Sequence, residues 1–150
     1  MILFAGTVAV LISAAYVDVR KGKIPNILVV ILALFQTLYF LILKFVLNSP
    51  KLSGSLVFEK IFAAVAVFLL LYPFFKIGGL GAGDVKLLTL TVLSVNNPLL
   101  FLLITFSTGV VISVITLFSK LEFNNKGNRT VHMALPILMG YCGAFIPAIF

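Results

Sequence analysis

The chain of 150 residues is 62% hydrophobic and 10% charged, whereas an ordinary soluble domain is about 25% charged and about 45–50% apolar. A soluble fold of this length still exposes roughly 30% of its unfolded surface, so this composition requires lipid around the chain and excludes an ordinary soluble enzyme. The net charge of +7 does not point to nucleic acid, because the basic residues fall in short gaps between apolar runs, where lipid headgroups are the expected partner.

Taken in chain order, apolar runs near residues 1–17, 24–47, 55–77, 80–95, 98–119 and 131–150 predict an all-α, polytopic membrane protein with six spans. The first run has no basic start and leads directly into Tyr16, Asp18 and Arg20, which predicts a retained helix and not a cleaved signal. The second opens on Ile24-Pro25-Asn26, where Pro25 suits the first turn of a helix and Asn26 a polar helix start. The fourth is expected to be short or tilted, since glycines crowd its beginning and Asn96, Asn97 and Pro98 stop it. The last carries Pro136, which either lines a cleft or kinks the span, and His132 near Arg129 reads as an interfacial side chain. No linker, low-complexity tract or internal repeat divides the chain, so residues 1–150 read as one membrane domain.

Lysine and arginine near span ends are retained on the cytoplasmic side. With six spans, the first, third and fifth gaps hold Arg20, Lys21, Lys23, Lys76, Lys86, Lys120, Lys126 and Arg129, against Lys44, Lys51 and Lys60 on the other side. Both termini are therefore expected to be non-cytoplasmic.

The chain has one cysteine, Cys142, one histidine, and only Asp18, Glu59, Asp84 and Glu122 as acids. An internal disulfide or a zinc site cannot be assembled from these, and no metal or cofactor is expected. Cys142 reads as a small buried hydrophobe.

Asp18 and Asp84 are the only aspartates, and each falls at the junction of a span with a predicted cytoplasmic gap, so the topology brings both to one membrane face. An aspartate at the centre of a spanning helix costs about 2.5–3.5 kcal/mol and is by default a functional-site hypothesis. At the interface the cost is smaller, and each acid has a structural explanation: Asp84 as a helix N-cap, Asp18 as an end residue paired with Arg20 or Lys21. The contexts are more specific. Gly81-Ala82-Gly83-Asp84 is a GxGD sequence whose glycines let backbone approach backbone and leave room for an extended substrate beside the carboxylate. Lys86, two positions on, faces another side of the helix and suits either phosphate anchoring or support of the site.

The GxGD followed by Val85-Lys86, the Asp18 to Asn26 stretch with its basic loop and Ile-Pro-Asn, and the proline-bearing last helix resemble the type IV prepilin peptidases, bacterial membrane aspartic proteases, over essentially the whole chain. The resemblance implies a catalytic pair of Asp18 and Asp84, with Gly81, Gly83, Lys86, Pro25, Asn26 and Pro136 binding substrate or supporting the site. It implies the inner membrane as location, an active site facing the cytoplasm, and type IV prepilin or pseudopilin precursors as partners, cut after the glycine that ends a short leader. One carboxylate would draw a proton from water while its protonated partner hydrogen-bonds the scissile carbonyl. Larger family members carry a cytoplasmic insertion with paired cysteines and an N-methyltransferase activity. This chain has no room for that insertion, so it resembles the short form found with tight-adherence or Flp-type pili, and methylation is not expected. Competing expectations are a small ion-coupled transporter subunit, with the aspartates as an ion relay, an inactive pilus or secretion assembly factor, and the archaeal preflagellin peptidases.

Overall fold

The computed structural model describes residues 2–22, 24–45, 54–78, 80–122 and 133–145. They form six helices: α1 (Ile2–Lys21), α2 (Asn26–Phe45), α3 (Gly54–Lys76), α4 (Ala82–Val92), α5 (Pro98–Glu122) and α6 (Ala134–Phe145). Each predicted run holds one helix. Ile2–Lys21, Val57–Lys76 and Pro98–Ile115 are long and apolar enough to cross a membrane, and Asn26–Ile42 and Ala134–Phe145 are shorter apolar stretches. The chain is an all-helical, polytopic membrane protein. His132, Arg129 and Lys126 lie outside the described residues.

The ends of the helices follow from local chemistry. α1 closes at Gly22, whose φ of 64° takes the left-handed conformation and whose N–H reaches the Asp18 carbonyl at 2.7 Å. Arg20 and Lys21 in its last turn complement the negative end of the helix dipole. α2 begins one residue after Pro25, whose carbonyl accepts the N–H of Leu28 at 3.1 Å. Pro25 is thus the residue before the helix and not part of its first turn. At α5, Asn97 caps the N-terminus by accepting the Leu100 N–H at 3.2 Å, and Pro98 is the first helical residue.

α4 is the short helix that the sequence predicts. Its 11 residues span about 16 Å, roughly half of a hydrocarbon core of about 30 Å. It ends in a tightened turn in which Leu93, Ser94 and Val95 donate to Leu90, Thr91 and Val92, each three residues back. Irregular backbone that is buried, as at Ser94 and Val95, needs protein partners. Lys60 of α3 supplies one, its ammonium donating to the Val95 carbonyl and lying 3.5 Å from Asn96 Oδ1.

α4 packs against α3, α2 and α6; α1 packs against α2 and α6; and α5 packs against α6. Leu11, Ala14, Leu32, Leu87, Leu88, Val92, Phe101, Ile137 and Tyr141 are fully buried in the resulting core. Phe4 stacks on Tyr141 and Phe145 at centroid distances of 5.5 and 4.2 Å, tying α1 to α6. Small residues set the close approaches: a Cβ on Gly140 would run into Thr105 of α5. Large apolar side chains such as Leu34, Phe58, Phe62 and Leu103 point outward, where lipid covers them.

Candidate active site

Asp18 lies in the last turn of α1 and is only 5% exposed. Its Oδ2 accepts the backbone N–H of Ala134 at 3.3 Å, so the first residue of α6 donates to a carboxylate 116 positions earlier in the chain. The N-terminus of a helix suits a negative charge, because its first N–H groups lack intrahelical partners and the dipole is positive there. Met133 begins this arrangement, its carbonyl accepting the Ile137 N–H at 3.1 Å.

Asp84 also sits at a helix N-terminus, but at that of its own helix. Gly81 is the N-cap of α4, and Asp84, the third helical residue, accepts the Gly81 N–H at 3.3 Å. Asp84 is half-buried.

The two GxGD glycines meet different neighbours. A Cβ on Gly81 would fall 2.8 Å from Asp84 Oδ2, so any side chain there displaces the carboxylate. A Cβ on Gly83 would meet the Ile24 Cβ at 3.0 Å and the Ile24 carbonyl at 3.3 Å. The space at these glycines is thus filled by Asp84 itself and by the loop between α1 and α2. Beside them, and beside the Asp84 carboxylate, opens a cleft of about 820 Å³.

That cleft is lined by both aspartates, by Gly22, Ile24 and Asn26, by Gly78 and Leu80 to Gly83, by Met133, and by one face of α5. The α5 face is made of Phe106, Gly109, Val110, Ser113 and Val114, whose spacing is that of neighbours on a helical surface. It gives the cleft an apolar wall that includes the exposed Val110 and Val114, in addition to the two carboxylates.

Of the residues singled out by sequence, Asp18, Asp84, Gly81, Gly83 and Asn26 line the cleft. Lys86 does not, but its ammonium donates to Asn26 Oδ1 at 3.3 Å and links the N-terminal halves of α4 and α2. Pro25 immediately precedes α2 and is not among the cleft-lining residues. Pro136 falls in the first turn of α6, where a missing N–H costs no helical hydrogen bond. It neither kinks the helix nor faces the cleft; it is buried behind Gly109, within about 4 Å of where a Cβ on that residue would lie. Sequence reasoning missed Ile24 as the neighbour of Gly83, the Ala134 N–H and the α5 face. Only the last left a signal, the small Gly109 and Ser113 one turn apart.

These features define a helical membrane protein that holds two carboxylates, from separate helices, in one open cleft. The model of the type IV leader peptidase family matches residues 5–117, a range that includes both aspartates, and the chain belongs to that family of membrane proteases. No curated protein and no solved structure matched the chain.

Proposed function

We propose that the protein is a prepilin leader peptidase that removes the short leader from type IV pilin-like precursors, with Asp18 and Asp84 as the catalytic pair. The observation that carries this reading is the convergence of the only two aspartates of the chain on one cleft that also has an apolar helical wall. A leader followed by a hydrophobic helix has the matching form: a peptide bond for the carboxylates and an apolar segment for the α5 face.

In this reading the ionised carboxyl takes a proton from water as the water oxygen attacks the scissile carbonyl carbon. The protonated carboxyl donates to the carbonyl oxygen, giving a tetrahedral intermediate. Collapse breaks the C–N bond and re-forms the carbonyl. The proton taken from water passes to the departing amine, and the two carboxyls exchange roles. The N–H groups of Ala134 and Gly81 orient Asp18 and Asp84 through these steps. The basic residues Arg20, Lys21, Lys76 and Lys86 at this end of the bundle support a cytoplasmic site in a bacterial inner membrane. Gly109 lets α5 approach Met133 and Pro136 closely, and the small Ser113 leaves room on the apolar wall for a substrate helix to lie against it.

The test is cleavage by the purified protein in detergent of a pilin precursor whose leader-terminal glycine is varied. The reading expects release of an intact leader from the glycine form and little from a bulky replacement. Absence of cleavage of any candidate precursor would overturn it.

A further inference from the structure

A second polar group sits inside the bundle, and the proposed cleavage chemistry does not use it. Thr7 of α1 and Tyr141 of α6 are fully buried, Gln36 of α2 is 1% exposed, and Ser94, in the turn that closes α4, is buried with them. Gln36 Nε2 donates to Ser94 Oγ at 3.3 Å, and Ser94 Oγ donates to the Thr91 carbonyl at 2.8 Å. The Tyr141 hydroxyl lies beside those of Ser94 and Thr7, but neither approach completes a hydrogen bond. Gln36 Oε1, Thr7 Oγ1 and Tyr141 Oη therefore find no partner among the described residues.

Buried polar atoms inside a membrane protein need a partner, since neither lipid nor an apolar core supplies one. The Tyr141 and Thr7 hydroxyls lie side by side, and Ser94, next to Tyr141, is held by the Gln36 amide; a group of buried polar atoms from three helices suits one water molecule, which makes two to four hydrogen bonds in such a site. The helices concerned are informative. α1 carries Asp18, α4 carries Asp84, and α6 donates its first N–H to Asp18. The apolar contacts around α4, through Leu87, Leu88 and Val92, have no direction along the helix axis, so they resist separation better than sliding. Hydrogen bonds are directional and resist sliding.

We propose that Thr7, Gln36, Ser94 and Tyr141, bridged by an internal water, form a polar knot that fixes the depth of α4 against α1 and α6 and so sets the spacing of the two aspartates. They are positioning residues, acting through the helices that carry the carboxyls. The kinetic part of this inference rests on the leader-peptidase reading; the structural part does not. A shift of one residue along α4 is about 1.5 Å, and a misplacement of about 1 Å costs on the order of 100-fold in rate.

Three variants test the knot in the full-length, detergent-purified protein: Tyr141→Phe, Gln36→Leu, and the triple Thr7→Val, Gln36→Leu, Tyr141→Phe, which leaves no unpaired oxygen on those side chains. Two readouts are taken, hydrogen exchange of the α4 backbone and the kcat and KM for a leader-bearing precursor. Each single variant is expected to speed exchange across residues 82–95 and to lower kcat roughly tenfold or more, with KM little changed and the yield of folded protein maintained. The triple variant is expected to fold and to remain slow. Wild-type kcat and wild-type protection of α4 in the triple variant, or in both single variants, would overturn the proposal. If the wild-type protein cuts no precursor, the leader-peptidase reading fails by itself, and exchange at α4 alone decides whether the knot holds that helix.

Discussion

Asp18 and Asp84 face the same cleft from unlike settings. Asp84 is half-buried and is held by its own helix, accepting an N–H from three residues back. Asp18 is 5% exposed and accepts the N–H of Ala134, at the start of a helix that follows it by more than a hundred residues. The Gly81 contact of Asp84 is therefore local and forms with α4, whereas the Ala134 contact of Asp18 is tertiary and forms only when α6 has docked. Both carboxylates nonetheless end at a helix N-terminus, the place where a folded chain offers free N–H groups and a favourable dipole.

The largest expected effect treats the two settings alike. Asp18→Asn and Asp84→Asn should each reduce leader cleavage by about 1,000-fold or more, measured as the rate of precursor processing at matched protein levels. The next separates the local setting. Gly83→Val pushes α4 from the Ile24 loop and should lower cleavage by roughly 100-fold, while Gly81→Ala, which crowds only the Asp84 carboxylate, should lower it less. Ala134→Pro addresses the tertiary setting. It removes the N–H given to Asp18 at the first helical position, where proline is tolerated, and should lower kcat about tenfold. An unchanged rate would show that the Ala134 N–H is dispensable. The smallest effect concerns the link between the helices: Lys86→Met should lose roughly threefold to tenfold, and Asn26→Ala added to it should cost little more, because both changes break the same hydrogen bond. Gly140→Ala serves as a contrast on stability, since overpacking against Thr105 should cost about 1–3 kcal/mol in unfolding without a selective loss of kcat.

What was legible in the sequence follows the same division between local and tertiary. Six helices could be read because each apolar run is long and bounded by charges, glycine or proline. The shortness of α4 was visible in the glycines before it and in Asn96-Asn97-Pro98 after it. Asp84 and its glycines announce themselves within four residues. Asp18 was legible only through the stretch that follows it, and its partner not at all, since a backbone N–H leaves no residue-type signature. Gly83 signals a close backbone approach in the sequence, but the neighbour that it admits, Ile24, belongs to another turn of the chain. Pro136 offers two readings in the sequence, a cleft wall or a kink, and the structure bears out neither: it is not among the cleft-lining residues, and a kink requires a full turn of helix before the proline, whereas α6 begins only two residues ahead of it. Lys86 showed its charge but not its partner Asn26, which is 60 positions away.

The central claim is that two carboxyls act as one unit, and non-additivity tests it most directly. Single-turnover cleavage of one precursor should be measured for Asp18→Asn, Asp84→Asn and the double variant in the same detergent preparation. A shared pair predicts three residual rates that agree within a few-fold, because losing either member already removes the mechanism. Losses that multiply in the double variant, or substantial turnover by either single variant, would contradict it.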